Sequence, residues 1–256
     1  ENSKGDIWLG SQGKGGLALL KGKEIERYLL NMSNKVLDYN YLTKTNKQFD
    51  DEDFFEIKRL MNDRQDNIWV GSKTGLSKIS FTNNSEIFEI QKFNTFKDKQ
   101  GELIKSPVFA IEEDKMGNIW VGYWKKGIAK LTFDKQSETY TSVNYQNQSN
   151  DINSLSNNFV RDILEDSNGD IWVGTNSGLN KLKQDATGNI TFTSYLNDPE
   201  NKNSLSNNYV LDAFQSSDGN LYVGTFGGGL NQIDISNNTL NFKQYTTNEG
   251  LPSDVV

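Results

Sequence analysis

Asp170-Ile-Trp-Val-Gly174 recurs through the chain as Asp6-Ile-Trp-Leu-Gly10, Asn67-Ile-Trp-Val-Gly71, Asn118-Ile-Trp-Val-Gly122 and Asn220-Leu-Tyr-Val-Gly224. The closing glycines are separated by 61, 51, 52 and 50 residues. A step near fifty residues is too long for a leucine-rich or ankyrin unit and matches one four-stranded propeller blade. Around the quoted segment, Phe159 to Asp166 reads as a short apolar strand and Ser167-Asn-Gly169 as a tight turn. Asp170 to Gly174 is then a second strand, Leu179 to Leu182 a third, and the alternating Ile190 to Tyr195 an outer fourth. The same order recurs over Ser106 to Phe133, over Tyr209 to Ile235 and, less regularly, over Phe54 to Phe81. The expectation is an all-β chain, a β-propeller of four-stranded antiparallel blades with about five blades' worth present. Residues 1–256 read as one propeller repeat region, a fragment of a larger protein.

Lys21 to Asp53 breaks the pattern and accounts for the longest step. It reads as a decorated outer strand and a long loop, with Glu24 to Leu30 able to form one helical turn. The last residues, Leu251-Pro-Ser-Asp-Val-Val256, match the start of another first strand.

Composition narrows the chemistry. The 256 residues include no cysteine and no histidine, which removes thiol and imidazole nucleophiles, Ser-His triads and the common zinc ligand sets. A net charge of −7, with basic residues scattered along the repeats, argues against a nucleic-acid partner. No apolar run is long enough for a membrane span, so this segment is expected to make no membrane contact. Glu1 opens directly into a repeat, which places any leader or anchor outside this chain.

Three features carry a resemblance to a known family. Asp166 to Leu182, with close copies at Asp114 to Leu131 and Asp63 to Ile79, is similar to the core of the two-component regulator propeller repeat. Asn153-Ser-Leu-Ser-Asn-Asn158 and Asn203-Ser-Leu-Ser-Asn-Asn208 resemble that family's blade-to-blade linker, and Glu249-Gly-Leu-Pro-Ser-Asp254 its other linker form. The resemblance implies the extracellular or periplasmic sensor region of a Bacteroidetes-type hybrid histidine kinase. It further implies a seven-bladed ring, a homodimer through the parent receptor, and a membrane helix and kinase outside this segment. The departures are Tyr222 for Trp, Ser216 for Asp, and Tyr123-Trp-Lys-Lys126 where other repeats have small polar residues.

Trp8, Trp69, Trp120 and Trp172 sit inside a strand at a fixed place, which marks them as core between blades rather than a sugar-stacking set. Leu155, Leu205 and Leu251 read as plugs fixing linkers against blades. Asp166-Ser-Asn-Gly-Asp170 has oxygens at alternate positions but lacks the distal Glu of a calcium loop, and a turn explains it. No metal or other cofactor is expected. Asp162 and Asp212 share one position of successive first strands with Arg59 and Ala110, a mixed ring that could line a channel.

The candidate ligand residues are loops. The linker entering a first strand and the loop after a second strand emerge on one face, gathering Tyr123, Trp124, Lys125, Asn158, Arg161, Asn176, Asn208 and Phe226. Exposed aromatics beside amides suit an oligosaccharide, and a sensory, non-enzymatic role is the leading reading. A sialidase-like propeller glycosidase is the alternative, since Asp-x-x-Gly-x-Ile-Trp has the look of an Asp-box. Such an enzyme needs an arginine cluster with acidic groups, and the chain holds only Arg27, Arg59, Arg64 and Arg161. A purely structural scaffold for protein contacts is the third reading.

Overall fold

The computed structural model describes residues 5, 7–10, 17–21, 24–30, 36–38, 56–81, 88–93, 106–185, 187–236 and 240–256. Asp6 and residues 39–55, part of the irregular region, lie outside them. Twenty strands form five four-stranded antiparallel sheets among the described residues. The first comprises β1 (Ile7–Gly10), β2 (Leu17–Lys21), β3 (Glu24–Leu30) and β4 (Val36–Asp38), and the second β5 (Ile57–Asn62), β6 (Ile68–Ser72), β7 (Gly75–Phe81) and β8 (Phe88–Lys92). The third holds β9 (Val108–Glu113), β10 (Ile119–Tyr123), β11 (Gly127–Asp134) and β12 (Thr139–Tyr145). The fourth holds β13 (Val160–Glu165), β14 (Ile171–Thr175), β15 (Gly178–Gln184) and β16 (Ile190–Tyr195). The fifth holds β17 (Val210–Gln215), β18 (Leu221–Thr225), β19 (Gly229–Asp234) and β20 (Asn241–Tyr245), followed by a 3₁₀ turn at Thr247–Glu249. Each sheet pairs neighbours in chain order, the meander expected of a blade. Contacts divide the chain into two compact units, 1–111 and 112–256, with the division inside β9.

One expectation is corrected here. Glu24–Leu30 is a strand and not a helical turn: β3 pairs antiparallel with β2, Leu17 opposite Tyr28 and Lys21 opposite Glu24. Ladder pairing on both edges of β3 outweighs a weak local helix preference. Because β1 carries the Ile-Trp-Leu-Gly segment, β4 is an added strand beyond the repeat's usual outer one.

The repeated motif has a physical reason at each position. Asp63, Asp114 and Asp166 are buried, and each carboxylate closes its turn by accepting backbone N–H groups two and four residues on, at 2.9–3.0 Å. Its second oxygen accepts the indole N–H of Trp69, Trp120 or Trp172 at 2.8–2.9 Å. The carboxylate of Asp166 therefore faces N–H donors, as a turn requires. In the fifth sheet both partners change together: Ser216 cannot accept as a carboxylate does, and Tyr222 has no indole N–H to offer. The two departures are one event.

The closing glycine is set by the next repeat. A Cβ at Gly174 would lie 2.6 Å from Val210 Cγ1, and one at Gly224 would lie 2.5 Å from the Val256 carbonyl oxygen. Gly10 meets Ile57 and Gly71 meets Val108 in the same way. Next to this contact Trp172 is fully buried with Leu179, Leu205, Val210, Leu221, Val223 and Ile233. The tryptophan of the fourth sheet thus fills the space against the fifth, and Leu205 is the plug expected of its linker. Trp69, Trp120 and Trp172 each carry a cross-strand lysine, Lys78 Nζ lying 5.7 Å, Lys130 Nζ 5.4 Å and Lys181 Nζ 5.1 Å from the respective ring centroids; opposite Trp8 stands Leu19.

Candidate functional site

The linkers are built by their own side chains. Ser154 Oγ donates to the Gln148 carbonyl and accepts from the Gln148 N–H, Leu155 is buried, and Asn157 Oδ1 accepts the N–H of Phe159 at 2.8 Å. Ser156 docks on β15: its N–H donates to Asn180 Oδ1 and Asn180 Nδ2 donates to Ser156 Oγ, both at 2.9 Å. Ser206 and Asn231 repeat this at 2.8 Å. Asn180 and Asn231 went unremarked in the sequence, although both sit two residues after a repeat glycine.

Asn158 and Asn208 belong to this framework. Their Oδ1 atoms accept the N–H groups of Asn147 and Asn197 at 2.7 Å, and their carbonyls accept from Gly127 and Gly178. Tyr123 is a clearer correction, because it is 1% exposed and cannot form part of an exposed aromatic surface. It ends β10 where Thr175 and Thr225 end β14 and β18, and the buried Ala129 stands where Asn180 and Asn231 hold the linker serines. A large ring beside a small residue replaces the polar cluster of the other blades. The Tyr123 hydroxyl is buried and has no hydrogen-bond partner among the described residues, and burial pushes its phenol well above the usual tyrosine range.

Tyr123→Phe should therefore keep or raise stability, by up to about 3 kcal/mol, the cost of an unmade buried hydrogen bond. A phenol with a raised folded-state pKa stabilises below the unfolded value, and the contribution is lost as pH climbs past about 10. The advantage of the variant should widen above that pH. Urea melts of both proteins at neutral and alkaline pH check this; a clear loss of stability in the variant would contradict it.

The remaining candidates converge. β5, β13 and β17 each carry a bulge at their second residue, which turns that side chain away from the ladder. In β13 the residue is Arg161. Its guanidinium carbon lies 4.6 Å from the Trp124 ring centroid and 4.9 Å from that of Tyr209. Arg161 Nε donates to Asn176 Oδ1 at 2.9 Å, and Nη2 donates to the Tyr209 hydroxyl. Burial lowers the pKa of the guanidinium. Trp124 meets Phe159 edge to face at 4.6 Å, Lys125 Nζ lies 5.6 Å from the Phe159 ring centroid, and Tyr209 meets Phe226 at 5.5 Å. Phe226 is 56% exposed. Trp124, Asn176 and Phe226 occupy one position in three successive blades, and Phe159 and Tyr209, which the sequence reading missed, share another. A cavity of ≈ 550 Å³ is lined by residues including Gln148, Asn150, Ser177, Leu196 and Asn208, of which Ser177 and Asn208 are the chain neighbours of Asn176 and Tyr209.

The proposed channel ring separates. Asp162 is buried and its Oδ2 accepts the Ala213 N–H at 2.9 Å, tying β13 to β17, whereas Asp212 is exposed. Ala110 is buried and Arg59 half-buried.

Four-stranded meander blades with a glycine at each junction, and a tryptophan or in the fifth blade Tyr222 beside it, define the chain as a β-propeller. Residues 154–177 and 204–227 match the profile of the two component regulator propeller, so the chain carries repeats of that family. Over 118 residues, 46% of the chain, it is 30% identical to histidine kinase P4 of Formosa agariphila, of whose length it spans 8%. Among solved structures it is similar to PorZ of Porphyromonas gingivalis, with a TM-score of 0.60 at 19% identity over 94% of this chain and 31% of that one. It is also similar to virginiamycin B lyase of Staphylococcus aureus, with a TM-score of 0.52 at 14% identity over 99% of this chain and 74% of the lyase.

Proposed function

We propose that the chain is a non-enzymatic, ligand-recognising propeller segment of a two-component receptor, placed outside the cytoplasm and dimeric through its parent protein, and that its ligand is a glycan fragment. The observation that carries the reading is the aromatic cluster of Trp124, Tyr209 and Phe226 around Arg161 and Asn176, whose chain neighbours Ser177 and Asn208 line a cavity together with Gln148 and Asn150. Ring faces accept the C–H surfaces of a sugar, and amides and hydroxyls accept or donate to its hydroxyls. Trp124 is the one tryptophan of five outside the repeat motif, so packing between blades does not account for it. The relation to a histidine kinase supports the receptor context. Against an enzyme stands the lack of histidine and cysteine in the chain; the S. aureus lyase is catalytically inactive when a histidine is replaced by alanine.

Trp124→Ala should weaken oligosaccharide binding about tenfold or more, as hot-spot aromatics do, while costing little stability because Trp124 is only half-buried. Titration calorimetry against an oligosaccharide panel, with parallel thermal melts, separates the outcomes. Equal affinity in variant and parent removes Trp124 from the site. A large fall in melting temperature would make it packed structure and favour a domain contact on this face.

A further inference from the structure

We propose that β12, the outer strand of the third blade, is a docking edge for a second copy of this chain, the two β12 strands pairing antiparallel about Ser142. The pairing adds a contact within this segment to the dimer read above, which runs through the parent protein, and it does not use the glycan reading.

Two observations carry it. The first is an edge left open. β12 ends its sheet, with β11 on one side and, among the described residues, no strand on the other. Sheets guard such an edge with charged side chains, proline, a bulge or a covering segment, because its N–H and C=O groups invite a further strand. In the fourth and fifth blades the linker is the cover: the Phe192 N–H of β16 donates to the Asn153 carbonyl at 2.8 Å, and the Phe242 N–H of β20 donates to Asn203 Oδ1 at 2.7 Å. Ser142 holds the same register position, opposite Leu131 as Phe192 is opposite Leu182 and Phe242 opposite Ile233, so its N–H points away from β11 in the same way. No described residue accepts from it. The other guards are missing too. Thr139-Tyr-Thr-Ser-Val-Asn-Tyr145 contains no charge and no proline, and its pairing with β11 runs without a bulge. By contrast β8 carries Glu89 and Lys92, and β20 carries Lys243. Thr139, Thr141, Ser142 and Val143 are exposed.

The second observation is that β12 complements itself. With its N–H and C=O facing outward, Ser142 can exchange both hydrogen bonds with the residue opposite it on an incoming antiparallel strand. When that residue is Ser142 of a second copy, Thr141 stands opposite Val143, Tyr140 opposite Asn144 and Thr139 opposite Tyr145, pairings of β-branched and aromatic side chains that favour a sheet. No like charges meet along the strand. The net charge of −7 opposes association of two copies, but the hairpin around β12 is balanced, Lys130 and Lys135 against Asp134 and Glu138. Because both copies use the same edge, pairing closes at two.

The test is sedimentation equilibrium of the chain at low salt over concentrations up to about 1 mM. A single strand pair is a small interface, so a monomer–dimer equilibrium with a Kd on the order of 0.1 mM is expected. Ser142→Lys and Ser142→Glu, at an exposed position, should each weaken the dimer about fivefold with an unchanged melting temperature, because like charges then stand directly opposite. An equimolar mixture of the two variants should recover parental association or better, since lysine then faces glutamate. Ser142→Pro removes only the outward N–H, which the ladder to β11 does not use, and should leave a monomer; if it fails to fold, the charge variants decide. A parent that stays monomeric at about 1 mM, a dimer that the charge variants leave unchanged, growth beyond dimers, or a mixture no tighter than its components each overturns the proposal. In all four cases the dimer through the parent protein and the glycan reading stand.

Discussion

Trp172→Ala should destabilise the protein by about 3–5 kcal/mol, the range for truncating large aromatics in cores. The side chain is fully buried against Leu205, Val210, Leu221, Val223 and Ile233, so its loss opens a void between two sheets. It also strips the buried Asp166 carboxylate of its indole donor at 2.8 Å. The two contributions can be separated with Trp172→Phe, which keeps most of the volume and should cost about 1–3 kcal/mol for the lost hydrogen bond. The natural pair Ser216 and Tyr222 suggests a further check. Asp166→Ser with Trp172→Tyr should cost less than the sum of the single changes, with a coupling of about 0.5–3 kcal/mol. Denaturant melts of the parent, of Trp172→Ala and Trp172→Phe, and of Asp166→Ser and Trp172→Tyr singly and together give these values. A Trp172→Ala midpoint equal to the parent's would show that the tryptophan does not hold the blades together, and strict additivity would break the link between aspartate and indole.

Gly174→Ala should cost about 1–3 kcal/mol by overpacking. The added Cβ would sit 2.6 Å from Val210 Cγ1 and 3.3 Å from Val210 Cβ, and Val210 is itself buried and close to backbone, leaving little room to retreat. Val210→Ala alone should also destabilise, through the cavity it leaves. Together the changes should cost less than their sum, since the shortened residue 210 admits the new methyl group. Conformational strain plays no part, because Gly174 lies within a regular strand. A Gly174→Ala protein with parental stability would mean that the blades can slide apart at no cost, and the reading of the motif's glycine as a spacing device would fail.

Much of this architecture is legible in the sequence because each repeat states it again. Apolar residues and turn glycines recur at a fixed offset, so the strands β13 to β16, the tryptophans and the plugs Leu155 and Leu205 could be placed by comparing copies, whereas Leu251 is only half-buried. Local preference misled at Glu24–Leu30, where pairing with β2 on one side and β4 on the other makes a strand.

The candidate site was legible in part. Trp124, Phe226 and Asn176 announce themselves by departing from small polar residues, or by standing where such departures occur, and Arg161 by its rarity. Their assembly into one clamp depends on a bulge that turns Arg161 outward and on rings delivered by neighbouring blades, Tyr209 lying 48 residues away. A repeat compared with itself does not reveal what it meets in the next repeat.

Sequence alone thus determined the repeat, its strands, its turns and the residue types at each junction, since these follow from periodic patterning and from local turn chemistry within a blade. Tertiary structure alone decided that Tyr123, the last residue of β10, is core while its neighbour Trp124 is half-buried, and that Asn158 and Asn208 use their Oδ1 atoms to hold the linker backbone. The reason is that burial and hydrogen-bond partners at a blade's edge are supplied by the blade beside it. Tyr123 is enclosed in the core, while Arg161 and Phe159 of the next blade receive the Trp124 ring.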